Sequence, residues 1–201
     1  MSEPTPALDP ARTALLVMDF QNGIVGNLGV PEPDALVARV QGAIAATRAA
    51  GGTVGYVRVG LTEKDWAAVP PSNKIFFAAA QRRAMPADDP ATAVDDRLAP
   101  QPGDIEVRKV RVGAMSTTDL DAQLRERGID TLVLAGISTS GVVLSTITDA
   151  ADKDYRLFVL SDGCADSDPE THDVLLHKVY PRRATVLTVA EFGDLLSSGV
   201  G

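Results

Sequence analysis

Residues 131–162 read TLVLAGISTSGVVLSTITDAADKDYRLFVLSD, and the stretch divides into three pieces of different period. TLVLAG, residues 131–136, is a short apolar run without alternation, the pattern of a strand covered on both faces. Residues 140–153 then carry Val143, Leu144, Ile147 and Ala151 at helical spacing, and RLFVLS is again a buried strand, ending at Asp162. Strand, crossover helix and strand in succession imply parallel pairing with a right-handed connection.

The alternation continues outward. TALLVM, residues 13–18, reads as the first strand, with Asp19 at its carboxyl end. PEPDALVARVQGAIAATRAAGG, residues 31–52, places Leu36, Val37, Val40 and Ile44 on one helical stripe, between prolines at its start and Gly51 at its stop. TVGYVRV, residues 53–59, is the second strand and residues 105–112 the third. A long irregular connection, residues 60–103, separates them. A helix over residues 116–127 ends at Gly128. Farther on, ATVLT is a short strand between two helices, whose starts fit the capping-box spacing at Ser167 with Glu170 and at Thr188 with Glu191. The expectation is an α/β fold with a doubly wound parallel sheet, forming one domain over residues 1–201.

Composition narrows the function classes. The formal net charge is -8 and the basic residues are dispersed, so no phosphate-backbone footprint exists and nucleic acid is not expected as a partner. No apolar stretch has the length of a membrane span, and MSEPTPALDP lacks a signal core, so a cytoplasmic protein without membrane association is expected. The lone Cys164 cannot form an internal disulfide, and His172 and His177 are too few for a usual zinc site, so no metal or other cofactor is expected. Neither a dinucleotide fingerprint nor a P-loop occurs.

Open parallel sheets bind ligands beyond the carboxyl ends of their strands. Asp19 and GISTSGVV both fall at such ends. Three pieces in register there, LLVMDFQNGI (15–24), VRKVRVGAMSTTDL (107–120) and LAGISTSGVVLSTITDAADKDYRLFVLSDGCAD (134–166), resemble the isochorismatase-like, or cysteine hydrolase, superfamily over nearly the whole chain. The resemblance implies a three-layer fold around a six-stranded parallel sheet and a homodimer or homotetramer. It also implies a catalytic group of an aspartate, a lysine and a cysteine. The first two map to Asp19 and Lys109. The cysteine position, six residues on from Gly136, is Val142, which cannot attack a carbonyl. The resemblance further implies a cis peptide between Ile137 and Ser138 that turns amides into the pocket. Relatives of the nicotinamidase type hold a metal through histidines after the second strand, and this chain has none there.

Each candidate also has a plainer reading. Asp19 can tie down its loop through backbone hydrogen bonds, and Lys109 can be a solvated edge-strand residue. Ser138, Thr139 and Ser140 suit cap or turn roles, with no histidine nearby in sequence to act as a base. His172 and His177 read as a solvated helix face, and Cys164 as a packing residue. Ser138, Gly141, Arg58 and Trp66 are candidate substrate contacts. Arg58, with Arg82 and Arg83, can bind a carboxylate or be surface charge, and Trp66, Phe76 and Phe77 can form a pocket wall or a subunit contact.

Three functional expectations follow. One is vinyl-ether hydrolysis with Asp19 as acid, as in isochorismatases, which the resemblance implies keep the aspartate and lysine but also lack the cysteine. ISTSGV stands where those enzymes carry an aromatic residue and a histidine, which counts against isochorismate itself. Another is hydrolysis of a different small acyl, amide or enol-ether compound by water activated through Asp19 as base. The alternative is a catalytically silent relative that binds a small ligand or serves in assembly.

Overall fold

The computed structural model describes residues 7–27, 29 and 32–198. Its elements in chain order are β1 (Thr13–Met18), α1 (Asn22–Val25), α2 (Pro33–Ala49), β2 (Thr53–Val59), α3 (Glu63–Ala67), α4 (Phe76–Gln81), β3 (Ile105–Lys109), α5 (Leu120–Glu126), β4 (Thr131–Ile137), α6 (Leu144–Ala151), β5 (Arg156–Ala165), α7 (Pro169–Val174), β6 (Thr185–Leu187) and α8 (Val189–Ser198). The six strands form one parallel sheet in the order β3-β2-β1-β4-β5-β6. The order of strands reverses between β1 and β4, the two central ones.

Alternation of side chains along these strands builds the two outer layers. Leu15, Val17, Val133 and Ala135 pack with Leu36, Val37, Val40 and Ile44 of α2 and with Phe192 and Leu196 of α8. Leu16, Met18, Leu132 and Leu134 face the other way, onto Leu120 and Leu124 of α5 and Ile147 of α6. Every residue of β1 and β4 is buried, which is why these strands read as unbroken apolar runs. Gly136 lets α6 approach: a Cβ there would lie 2.8 Å from Val143 Cγ2. A smaller apolar cluster of Val59, Leu61, Val69, Phe76 and Ala80 sits under the long connection, with Trp66 and Phe77 packed against it.

Several boundaries differ from the sequence reading. The third strand stops at Lys109, because β2 ends at Val59 and offers no partner beyond Gly60 N–H, which donates to Lys109 O. Residues 110–119 instead bond locally: Val110 N–H donates to Thr117 Oγ1, Thr118 Oγ1 to Ala114 O, and Leu120 N–H to Thr118 Oγ1. α5 therefore begins at Leu120, not at residue 116. The helix expected over residues 140–153 opens with a wide π turn, Thr139–Val143, and ends at Ala151. The fifth strand runs past Asp162 to Ala165, its register with β4 shifting between Leu134 and Gly136. The cap of α7 is Asp168, one residue after Ser167, while Thr188 and Glu191 cap α8 reciprocally as expected. The long connection contains the short helices α3 and α4. No helix among the described residues is long and apolar enough to cross a membrane.

Candidate active site

The reversal between β1 and β4 opens a crevice at the strands' carboxyl ends, where ligand sites of such sheets form. A cavity of about 320 Å³ lies there. Its floor holds Asp19, Lys109, Ser138, Gly141 and Val142; its walls are Ile24, Val59, Ile75, Phe76, Met85 and Val112; Ser140, Asp166 and Ser167 close the remaining side.

Asp19 follows β1 with φ of 59°, a left-handed conformation uncommon for a residue with a Cβ, and its N–H donates to Val57 O across the sheet. Lys109 ends β3, two strands away. Its Nζ lies 2.9 Å from Asp19 Oδ2 and donates to Arg111 O at 3.2 Å. Asp19 is 5% exposed and Lys109 2%, so both charges are withdrawn from water. Burial raises the Asp19 carboxyl to about 6, and the nearby Lys109 ammonium opposes that rise without cancelling it. Among the described residues Asp19 Oδ1 is the one buried side-chain polar atom without a hydrogen-bond partner. Gln21 braces the neighbouring backbone: its Nε2 donates to Val59 O and Thr92 O, and its Oε1 accepts from Val59 N–H.

The turn after β4 forms the opposite side. Its Ile137–Ser138 peptide is cis, as the resemblance implied. The amides that follow are already engaged: Ser140 N–H donates to Asp166 Oδ2, and the Gly141 and Val143 amides to Ser138 O. A Cβ at Gly141 would lie 2.7 Å from Ser138 Oγ, so any other residue there would displace that hydroxyl. Val142, 2% exposed, presents its side chain to both the cavity and the core.

Two expected contacts lie elsewhere. Arg58 points to the other face of the sheet, where its Nη1 donates to Ala87 O and its side chain lines a separate small cavity with Tyr56 and Glu106. Trp66 donates Nε1–H to Ala84 O and carries Arg83 over its ring, behind the cavity wall. Arg83 pairs with Glu63 and Arg82 is exposed, so neither reaches the cavity. Of the aromatic trio, Phe76 alone lines the cavity.

Two relationships escaped the sequence reading. Thr139 Oγ1 lies 2.7 Å from His172 Nδ1, so His172 is half-buried and not simply a solvated face; its burial lowers the imidazole pKa. Asp166 at the end of β5 accepts both N–H and Oγ–H of Ser140 through one oxygen, each at 2.7 Å. A signal for Asp166 existed, since it follows the strand adjacent to β4. Nothing in sequence pairs residues as distant as Thr139 and His172. Cys164 is buried against Leu134 O, and burial pushes its thiol up to about 12, so it is a packing residue. No three His, Cys, Asp or Glu side chains gather as a metal-binding group among the described residues.

Comparison with known proteins agrees with this arrangement. Residues 13–191 match the Isochorismatase domain family. The chain is 36% identical over 197 residues to the isochorismatase family protein YecD of Escherichia coli O157:H7, covering 94% of this chain and 98% of that one. It is 33% identical over 216 residues to the ureidoacrylate amidohydrolase RutB of Methylobacterium radiotolerans, covering 97% and 84%. A cysteine hydrolase from Pseudomonas syringae pv. phaseolicola superposes with a TM-score of 0.87 at 27% identity, over 99% of this chain and 100% of that one. Fold, sequence match and the crevice between β1 and β4 agree, and the chain belongs to the isochorismatase family of hydrolases.

Proposed function

We propose that this protein hydrolyses a C–O or C–N bond of a small vinyl ether or amide without a cysteine nucleophile, using Asp19 as general acid or base. One observation carries the reading: Asp19 lines the cavity and its buried Oδ1 has no hydrogen-bond partner, on a carboxyl raised to about 6. A group in that state exchanges a proton near neutral pH, which is what acid-base catalysis requires.

With a vinyl ether, protonated Asp19 delivers its proton to the enol carbon. Water adds to the resulting oxocarbenium ion and returns one proton to Asp19, and the hemiketal so formed collapses to a carbonyl and an alcohol as its hydroxyl proton passes to the leaving oxygen. With an amide, ionised Asp19 removes a proton from water as its oxygen joins the carbonyl carbon. The leaving nitrogen takes that proton when the C–N bond breaks. Lys109 has three N–H donors, of which Asp19 Oδ2 and Arg111 O occupy two. The third is available to the developing oxyanion, a role the engaged amides of Ser140, Gly141 and Val143 do not fill. Val142 stands at the position the family resemblance gives to the cysteine, so attack falls to water.

The apolar, buried Val142 also supports a second reading, a catalytically silent family member that binds a small ligand or serves in assembly. Purified protein assayed against amides, ureides and vinyl ethers separates the two. Turnover that Asp19→Asn abolishes supports the enzyme. No turnover by wild type, with ligand binding unchanged in Asp19→Asn, supports the silent member.

A further inference from the structure

The charges lining the candidate site do not balance. Asp19 and Lys109 neutralise each other at 2.9 Å. Asp166, 8% exposed, adds a second carboxylate to the same wall. Its oxygens are held by neutral donors only: Oδ2 by the N–H and Oγ–H of Ser140, Oδ1 by Asp168 N–H at 3.3 Å. Among the described residues no lysine or arginine forms an ion pair with it.

The cations that approach this region are committed elsewhere. Arg39, across a second, smaller cavity that also borders Asp166, donates to Asp162 O. His172 lines that same second cavity, with Nδ1 on Thr139 Oγ1 and a lowered pKa that keeps the ring neutral near pH 7. Arg111 donates to Val110 O, lies over the Phe76 ring at 5.6 Å and borders the adjacent cleft, behind Phe76 and Val112. Arg58, which sequence reasoning offered as a carboxylate ligand, faces the other side of the sheet.

We infer that Asp166 is a specificity-determining residue that makes this cavity select uncharged or cationic substrates over carboxylates. The inference rests on the proposed site at Asp19 and Lys109 and adds to it the charge class of the substrate. A carboxylate ligand would lose its hydration inside a largely apolar cavity and meet a fixed negative charge, while Lys109, the one lysine or arginine among the described lining residues, already has its charge offset by Asp19 and keeps a single N–H to offer. A neutral amide or a protonated amine meets no such penalty, and the amine gains an ion pair with Asp166.

A thiol placed in the cavity reads this directly. Val142→Cys is alkylated with neutral iodoacetamide and with anionic iodoacetate near pH 7, and the rate ratio is divided by that of glutathione. The normalised ratio should favour iodoacetamide by about tenfold or more, and Asp166→Asn in the same background should bring it to within about threefold. A ratio equal to that of glutathione, or one that Asp166→Asn leaves unchanged, overturns the inference while leaving the site standing. Labelling by iodoacetamide no faster than at Cys164 of wild type overturns the site and the inference together. Should Val142→Cys not fold, ligand-observed NMR of wild type with benzamide, benzamidine and benzoate provides the same comparison. Weaker binding of benzoate than of the other two supports the inference. Benzoate binding as tightly as benzamide, or absence of binding by all three, counts against it.

Discussion

Lys109 Nζ contacts Oδ2 of Asp19 at 2.9 Å and leaves Oδ1 of the same carboxylate without a protein donor. Burial raises the Asp19 carboxyl from 3.8 to about 6 against the pull of that ammonium. A carboxyl whose pKa is higher in the folded chain binds its proton more tightly there, so its contribution to stability is fully present below about 4. That contribution is lost as pH rises through about 6. The loss is at most about 3 kcal/mol. Urea denaturation between pH 4 and 7 should show the decline in wild type relative to Asp19→Asn. Turnover should follow the same group: kcat falls above about pH 6 if Asp19 acts as acid, and rises through it if Asp19 acts as base. Asp19→Asn should lower kcat by about 10²–10⁴-fold in either case.

Replacing Lys109 by Met removes the opposing ammonium and keeps much of the volume. Asp19 then titrates higher still and holds its proton over more of the neutral range, which limits the cost of leaving it buried alone. The midpoint of the pH-rate profile should move to the alkaline side, and an unmoved midpoint would separate Asp19 from that titration.

The parts of this fold that are legible in sequence are those where burial on two faces dictates composition. β1 and β4 are apolar at nearly every position because helices cover both sides, and Asp19 stands out at the end of β1, whereas Lys109 ends the mixed strand IEVRK and is marked only by the family resemblance. Arg58 shows the limit. In the β2-β3 register Arg58 lies beside Arg108 and Val59 beside Lys109, so the alternation that sends Val59 into the cavity sends Arg58 away from it. The strand is readable from sequence, but the face that becomes the site depends on where its neighbours pack. Likewise the hydroxyls of Thr117 and Thr118, by taking local backbone bonds, delay α5 in a way that helical periodicity does not register.

Ile75, 68% exposed, lines the cavity and precedes Phe76, which belongs to the apolar cluster under the long connection. An apolar side chain so placed in an acidic protein fits a subunit contact, and we propose that the chain forms a dimer or tetramer through this connection. Light scattering at micromolar concentration should give a multiple of 21.1 kDa for wild type and a smaller species for Ile75→Asp. A monomeric wild type removes the proposal.

Val142→Cys tests the central assignment. The side chain at this position is at once in the cavity wall and in the core, and cysteine is close to valine in size, so the substitution should cost less than about 1.5 kcal/mol. It places a thiol beside the Lys109 ammonium and in the turn that leads into α6, and both surroundings favour the thiolate. Cys164 provides the internal control, since burial raises its thiol to about 12. The variant should therefore react with iodoacetamide at neutral pH while wild type stays unlabelled. Under the proposed water mechanism, wild type trapped during turnover should show no adduct by intact mass. The variant should accumulate an acyl adduct on the introduced thiol with amide or ester substrates. An adduct on Ser140 or Cys164 of wild type would replace the water mechanism with a covalent one. An introduced thiol that reacts no faster than Cys164 in a folded variant would withdraw the roles proposed for Asp19 and Lys109.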